Sequence, residues 1–380
     1  MPNPAMSPPE FNRFESLSPI KRFALIGTFL LIMTLILLLI AEIAVRGRMY
    51  LKHGTFWGFD TRIEDPLTGM LLPAPNSKNN NFKINSAGFR SPEIDTKKEH
   101  RQLRLAFLGG STTFSQEVTG NNNTWPAIAT KFLSEKYPDT KIDYLNASAA
   151  ALTTLDSRIN IEKRVAPYSP DIVFIYHAIN DIVYDAWHAA AAAGHIPAVD
   201  RAVHSPIKAF ILKKSLLADL LQKNLTIFFA NKLEIQSQKV LFEVENSKAL
   251  FRQRLEDLVT SAIDTAPLVV LSTFTNRLRS GQTHEQRVDA MISHSFSVQF
   301  YTQDDLLIAL NSYNDVIREF ANYEQVIVID SETAIAGTAE NFVDSVHFSA
   351  SGSEKFGKHI GSALVADAKV EQLIRSITGQ

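Results

Sequence analysis

Between Leu103 and Ala366 the chain alternates short, mostly apolar runs with longer stretches whose apolar residues recur every three or four positions. The runs Leu105–Leu108, Ile142–Leu145, Ile172–Tyr176, Leu268–Leu271 and Val326–Ile329 predict five strands. The stretches Trp125–Tyr137, Leu155–Val165, Ala249–Ile263, Asp305–Phe320 and Gly352–Ala366 predict helices between and after them. A strand that is apolar at successive positions is buried on both faces, and a chain that returns through a helix lays its strands parallel. The pattern therefore predicts a three-layer α/β/α domain on a five-stranded parallel sheet in the flavodoxin-like order 2-1-3-4-5. No repeat period interrupts the alternation.

The pattern changes completely toward the N-terminus. Phe23–Ala41 is 19 residues without a charge and continues to Val45 past Glu42. As a helix it reaches roughly the thickness of a bilayer core. A cleaved signal peptide usually has an apolar region of only about 7–15 residues. No small-x-small cleavage site follows here, because Glu42 precedes Ala44 by two positions. The expectation is one uncleaved transmembrane helix over residues 23–45. A flexible tail, residues 1–22, precedes it with five prolines in its first 20 positions, and a juxtamembrane connection, residues 46–102, follows. That connection holds Pro66, Pro73, Pro75 and the polar run Asn76–Asn81. Residues 103–380 form the α/β domain, with a helical insertion at about 187–241 that includes Ala189–Ala193 and four lysines among leucines and phenylalanines. An extra helical pair, a cap over a site and a membrane-leaning surface are all open readings of that insertion.

Composition narrows the classes. The 380 residues are 45% hydrophobic, enough for one sizeable core with appendages. A net charge of −2 provides no basic field for nucleic acid, which is excluded as a partner. Without cysteine there are no disulfides, thiolate nucleophiles or cysteine-ligated metals. The ten histidines show no His-x3-His spacing, so neither a metal nor a cofactor is inferred.

Four short motifs fall just beyond, or well after, predicted strands. Gly109-Gly110-Ser111-Thr112-Thr113 follows the first strand and Asn146-Ala147-Ser148 the second; Asn180-Asp181 ends the third, and Asp344-Ser345-Val346-His347 lies well after the fifth. Ligands of an open parallel sheet bind beyond the carboxyl ends of its strands, which suits Ser111 as a nucleophile. The spacings of a phosphate loop or a dinucleotide fingerprint are missing there. The Asn180 side-chain amide is a neutral donor for an oxyanion. His347 needs a partner to act as a base, and Asp344 three residues earlier can fix its tautomer. Alone, each motif also suits a helix cap, a turn or an ordinary histidine; the ordered set supplies the parts of acyl transfer from an ester.

With these motifs in this order, residues 103–366 resemble the SGNH (GDSL-like) hydrolase superfamily. Gly109-Gly110-Ser111 matches its Gly-Asp-Ser block with Gly110 in the aspartate place, and Asn146-Ala147-Ser148 matches its Asn-Ala-Gly turn. Ala178-Ile179-Asn180-Asp181 matches Gly-x-Asn-Asp, and Asp344 with His347 matches Asp-x-x-His. The stretch Ile84–Arg90 looks like the lead-in of bacterial membrane-anchored members. The resemblance implies Ser111 as nucleophile, His347 as base and Asp344 as its orienter, with Ser111, Ser148 and Asn180 forming the oxyanion hole. Ser148 replaces a glycine, which suits the hole provided its turn requires no positive φ. Ala178 replaces another and adds a methyl to the cleft.

The expected activity is a membrane-anchored serine esterase on acyl esters, O-acetylated glycans or lipids among them. One alternative is an O-acyltransferase that passes the acyl group to a cell-surface polysaccharide. Another is a non-catalytic tethered binding module. Basic residues flank the apolar helix almost equally, Arg13, Lys21 and Arg22 against Arg46, Arg48 and Lys52, so they do not set its direction. A tether is most useful near surface substrates, which places the N-terminus in the cytoplasm and the α/β domain in the periplasm or outside the cell.

Overall fold

A computed structural model describes residues 17–53, 62–195, 215–218, 220–221, 224–225, 239–291 and 300–379. They divide into two compact units, one drawn from Met1–Gly58 with His204–Asn224, the other from Phe59–Val203 with Leu225–Gln380. Most of the tail expected at 1–22 and much of the insertion expected at 187–241 lie outside the described residues.

The first unit is built on α1 (Pro19–His53). Its stretch Pro19–Leu51 is long and apolar enough to cross a membrane, and none of its most apolar segment is buried. Glu42 is the one acidic residue of α1. It pairs with Arg46 one turn on, at 2.7 Å, and accepts hydrogen bonds from Ser215 Oγ and the Leu216 and Leu217 amides at 2.8–3.1 Å.

In the second unit a short antiparallel pair, β1 (Arg62–Glu64) and β2 (Leu71–Pro73), precedes the main sheet. That sheet consists of β3 (Gln102–Gly109), β4 (Lys141–Asn146), β5 (Ile172–Tyr176), β6 (Leu268–Ser272) and β7 (Val326–Ile329). All neighbours are parallel and the order is β4-β3-β5-β6-β7, the predicted 2-1-3-4-5. Every residue of β3, β5 and β6 is buried, the polar Gln102 and Arg104 of β3 included.

The connecting helices are α2 (Ser111–Phe114), α3 (Trp125–Lys136), α4 (Thr154–Asn160), α5 (Ile179–Ala192), α6 (Val244–Thr265), α7 (His284–Met291), α8 (Gln303–Glu319), α9 (Ala350–Ala366) and α10 (Ala368–Thr378). The chain moves one way from β3 to β4 and the other way from β3 through β5 to β7. Right-handed crossovers therefore place α3 on one face and α4, α6 and α8 on the other. α9 packs against α3, and α4 and α8 against α6. The α3–α9 approach is close: a Cβ on Gly357 would lie 2.7 Å from that of Ile128. Under the sheet edge Trp125 is fully buried, edge-on to Phe107, Tyr176 and Phe356 with centroids 5.1–5.8 Å apart. Truncating such a residue costs about 3–5 kcal/mol.

Three details depart from the sequence reading. Asn180 and Asp181 do not end the third strand; they lie in the first turn of α5, which runs through the expected start of the insertion to Ala192. Its alanine run is good helix former, and it continues the helix instead of beginning a separate element. Residues 62–102, within the connection expected at 46–102, belong to the α/β unit. Arg90 explains why. It is fully buried and donates to the carbonyls of Phe114, Ser115 and Val118 at 2.7–2.8 Å. The helices α7 and α10 and the β1–β2 pair were not predicted at all; each is short or peripheral, and none continues the main strand and helix rhythm.

Candidate active site

Parallel register aligns three carboxyl ends. Gly109 pairs with Tyr176, and Phe107 with Asn146, so the segments after β3, β4 and β5 emerge along one edge. β3 ends in glycines and turns directly into α2, a single helical turn headed by Ser111. The turn is held from outside: Trp125 Nε1 donates to Thr112 O at 3.1 Å, and Asn146 Nδ2 to Thr113 O at 3.1 Å.

His347 arrives from the far end of the chain. Asp344 Oδ1 accepts the backbone N–H groups of Val346 and His347 at 2.9 and 2.8 Å, curling the loop into a tight turn. A bridge between Phe342 and Phe348 closes it, and Ser349 then caps α9 by accepting from the Gly352 amide at 3.1 Å. The turn leaves the second carboxylate oxygen for the imidazole: Asp344 Oδ2 lies 2.7 Å from His347 Nδ1, and His347 Nε2 lies 2.6 Å from Ser111 Oγ. Nδ1–H donating to Asp344 leaves Nε2 to accept the Ser111 hydroxyl. Burial disfavours the imidazolium, but the Asp344 hydrogen bond and charge, with a further contribution from the Glu117 carboxylate, raise the His347 pKa above its ordinary value.

The Asn180 amide reaches the same place from α5. Its Nδ2 donates to Leu152 O at 2.8 Å and fills the space where a side chain at residue 110 would start: a Cβ on Gly110 would lie 2.3 Å from it. Gly110 has φ −87° and ψ −152°, open to any residue, so glycine is needed here for room alone. Serine at 148 is accommodated, since it is not among the described residues with positive φ. Ser148 is buried, and both its N–H, at 3.3 Å, and its hydroxyl donate to Asn146 Oδ1. Ala178 is buried with φ −172°, extended backbone that needs no glycine. Ser111, His347 and Asp344 thus form one hydrogen-bonded chain with the Asn180 amide beside it, while the Ser148 N–H is engaged within its own turn.

Sequence reasoning passed over the groups that support this arrangement. Arg90 anchors the segment that follows α2, yet in the sequence it is one arginine in a lead-in motif. Asp181, next to Asn180, is fully buried; burial pushes its carboxyl up to about 6 against the Thr154 hydrogen bonds and the Arg254 charge. His177 is buried as well, which brings its pKa down to about 3 and keeps it neutral.

The model of the GDSL-like lipase/acylhydrolase family matches residues 107–355, from the first central strand to beyond His347. The chain belongs to this family. It is a carboxylic ester hydrolase of the GDSL type. Similar solved structures include an acetylxylan esterase from Geobacillus stearothermophilus, 16% identical over 70% of this chain and 96% of that one, with a TM-score of 0.40. A lipase from a goat rumen metagenome is 13% identical over 69% and 97%, with a TM-score of 0.42. An α/β hydrolase from the metagenome of Lake Arreo, Spain, is 14% identical over 69% and 94%, with a TM-score of 0.40. No curated protein matches the chain significantly.

Proposed function

We propose that this acylhydrolase is a membrane-anchored serine esterase in which Ser111, His347 and Asp344 carry an acyl-enzyme mechanism. The observation behind this reading is the unbroken chain of short contacts, Ser111 Oγ to His347 Nε2 at 2.6 Å and His347 Nδ1 to Asp344 at 2.7 Å. Ser111 Oγ attacks the ester carbonyl as its proton passes to Nε2, and Asp344 stabilises the resulting imidazolium. The Asn180 amide and the Ser111 N–H receive the charge that develops on the carbonyl oxygen, and the Ser148 N–H joins them by leaving Asn146 Oδ1. As the tetrahedral intermediate collapses, the C–O bond to the alcohol breaks and the departing oxygen takes the proton from Nε2. Water, deprotonated by the same nitrogen, then releases the acid and restores Ser111.

The substrate class follows from the anchor. A span in α1 concentrates the enzyme at a surface, which favours acylated glycans or lipids there over freely diffusing esters, with the α/β unit outside the cytoplasm. The acetylated sugar named for one similar structure makes O-acetyl groups the first to try. The test is turnover of short-chain aryl esters and acetylated oligosaccharides by the full chain in detergent, with intact-mass detection of an acylated serine. Ser111→Ala and His347→Ala should each lower kcat by several orders of magnitude, and the double variant by little more, because the two act as one unit. Near-normal turnover in Ser111→Ala rules the mechanism out. Acyl groups recovered on an added sugar instead of in water reassign the enzyme as a transferase.

A further inference from the structure

The Ser148 turn and Asn180 stand on different connections, after β4 and after β5, and one helix is bonded to both. α4 starts from a capping box between Thr153 and Asp156. Leu152, just before it, accepts from the Asn180 amide at 2.8 Å. Thr154 donates to Asp181 through its hydroxyl at 2.6 Å and its N–H at 3.3 Å. Ser157 Oγ lies 2.8 Å from Nε2 of neutral His177. At the other end of the helix Asn160 Nδ2 donates to Ala147 O at 2.5 Å, next to Ser148. Arg164, on the π turn that follows, donates to Asn160 Oδ1 at 3.1 Å and so sets which way that amide points.

Steps of three residues rotate the facing direction of a helix by about 60° each, so Thr154, Ser157 and Asn160 turn from one connection toward the other. None of Thr154, Ser157, Asn160, His177 and Asp181 is more than 3% exposed. Apolar contacts in their place would let α4 slide; buried and mutually satisfied polar groups hold it to one position. We propose that α4 sets the spacing of the oxyanion hole, with Thr154, Asp181 and Asn160 as positioning residues that hold the Asn180 amide and the Ser148 turn at a fixed separation. This rests on the reading of Asn180 and Ser148 as oxyanion donors.

Thr154→Val removes one hydroxyl at constant shape, and Thr154→Ser keeps it. Both are measured in the full chain, in the wild-type and Asn180→Ala backgrounds, for kcat and KM on an aryl acetate and for inhibition by a trifluoromethyl ketone that mimics the tetrahedral intermediate. Thr154→Val should lower kcat at least about 10-fold and weaken the ketone to match, with KM within about twofold, since misplacement by an ångström costs up to about 10²-fold. Thr154→Ser should retain activity. In the Asn180→Ala background Thr154→Val should change kcat by less than about twofold, because the donor it positions is gone. An equal loss in both backgrounds, or unchanged kcat in Thr154→Val, overturns the proposal. Ser157→Ala gives the same readout should Thr154→Val fail to fold. Loss of fluorophosphonate labelling at Ser111 in the wild type would instead bring down the reading of the site itself.

Discussion

Gly110→Ala should damage turnover while barely affecting the fold. The new Cβ would lie 2.3 Å from Asn180 Nδ2 and 3.4 Å from Leu152 O, where ordinary contact begins at 3.4 Å. The amide must therefore retreat by about 1.1 Å or swing away from Leu152 altogether. Folding should tolerate this, because the backbone angles at 110 suit alanine and the loss is one hydrogen bond, about 1 kcal/mol, partly offset by a stiffer unfolded chain. Catalysis should not, because in the proposed mechanism the displaced atom is an oxyanion donor, and losing one costs about 10²–10³ in kcat. The assay pairs steady-state kinetics on an aryl acetate with urea unfolding. kcat should fall about 100-fold with KM nearly unchanged and the unfolding midpoint close to wild type. In an Asn180→Ala background the same change should add almost nothing. Gly110→Asp, which installs the residue of the family pattern, should be at least as harmful as alanine here. Wild-type kcat in Gly110→Ala would sink the argument, and so would an additive loss in the double variant.

Other outcomes follow from the same contacts. In the proposed mechanism His347 must be neutral to accept the Ser111 proton, so kcat/KM should rise with pH through its raised pKa, with an acid limb above the ordinary histidine range; Asp344→Asn should move that limb to lower pH and cost about 10³–10⁴ in kcat. A limb that stayed in place would remove Asp344 as the partner. Arg90→Met leaves the carbonyls of Phe114, Ser115 and Val118 without their buried donor and should lower stability by about 3 kcal/mol or more in urea unfolding; a change below about 1 kcal/mol would show that water replaces the guanidinium. For the membrane reading, alkaline phosphatase fused after Gln380 should be active and a fluorescent protein that matures only in the cytoplasm should be dark; the opposite pattern moves the substrate search to inner-leaflet or cytoplasmic esters.

The amino-acid sequence by itself determined the five central strands, the main helices between them and their order. The central strands β3, β5 and β6 showed as mostly apolar runs because both of their faces are buried, β4 and β7 did so less completely at the sheet edges, and the main helices showed as repeats of three and four. Ser111 could be proposed because parallel strands deliver the residues that follow them to one edge; Asp344 and His347, well beyond β7, were legible only as a spaced pair, and their approach to Ser111 depends on how the last loop folds back. Tertiary structure alone decided the rest. That Gly110 makes room for an amide 70 residues away depends on how closely α5 approaches β3, a distance no local pattern encodes. Arg90 and Asp181 look like surface charges until packing encloses them and supplies Phe114, Ser115, Val118 and Thr154 as partners. The bracket from Asn160 to Ala147 and from Thr154 to Asp181 joins three segments, and hydrogen bonds between segments leave no periodic trace in a chain.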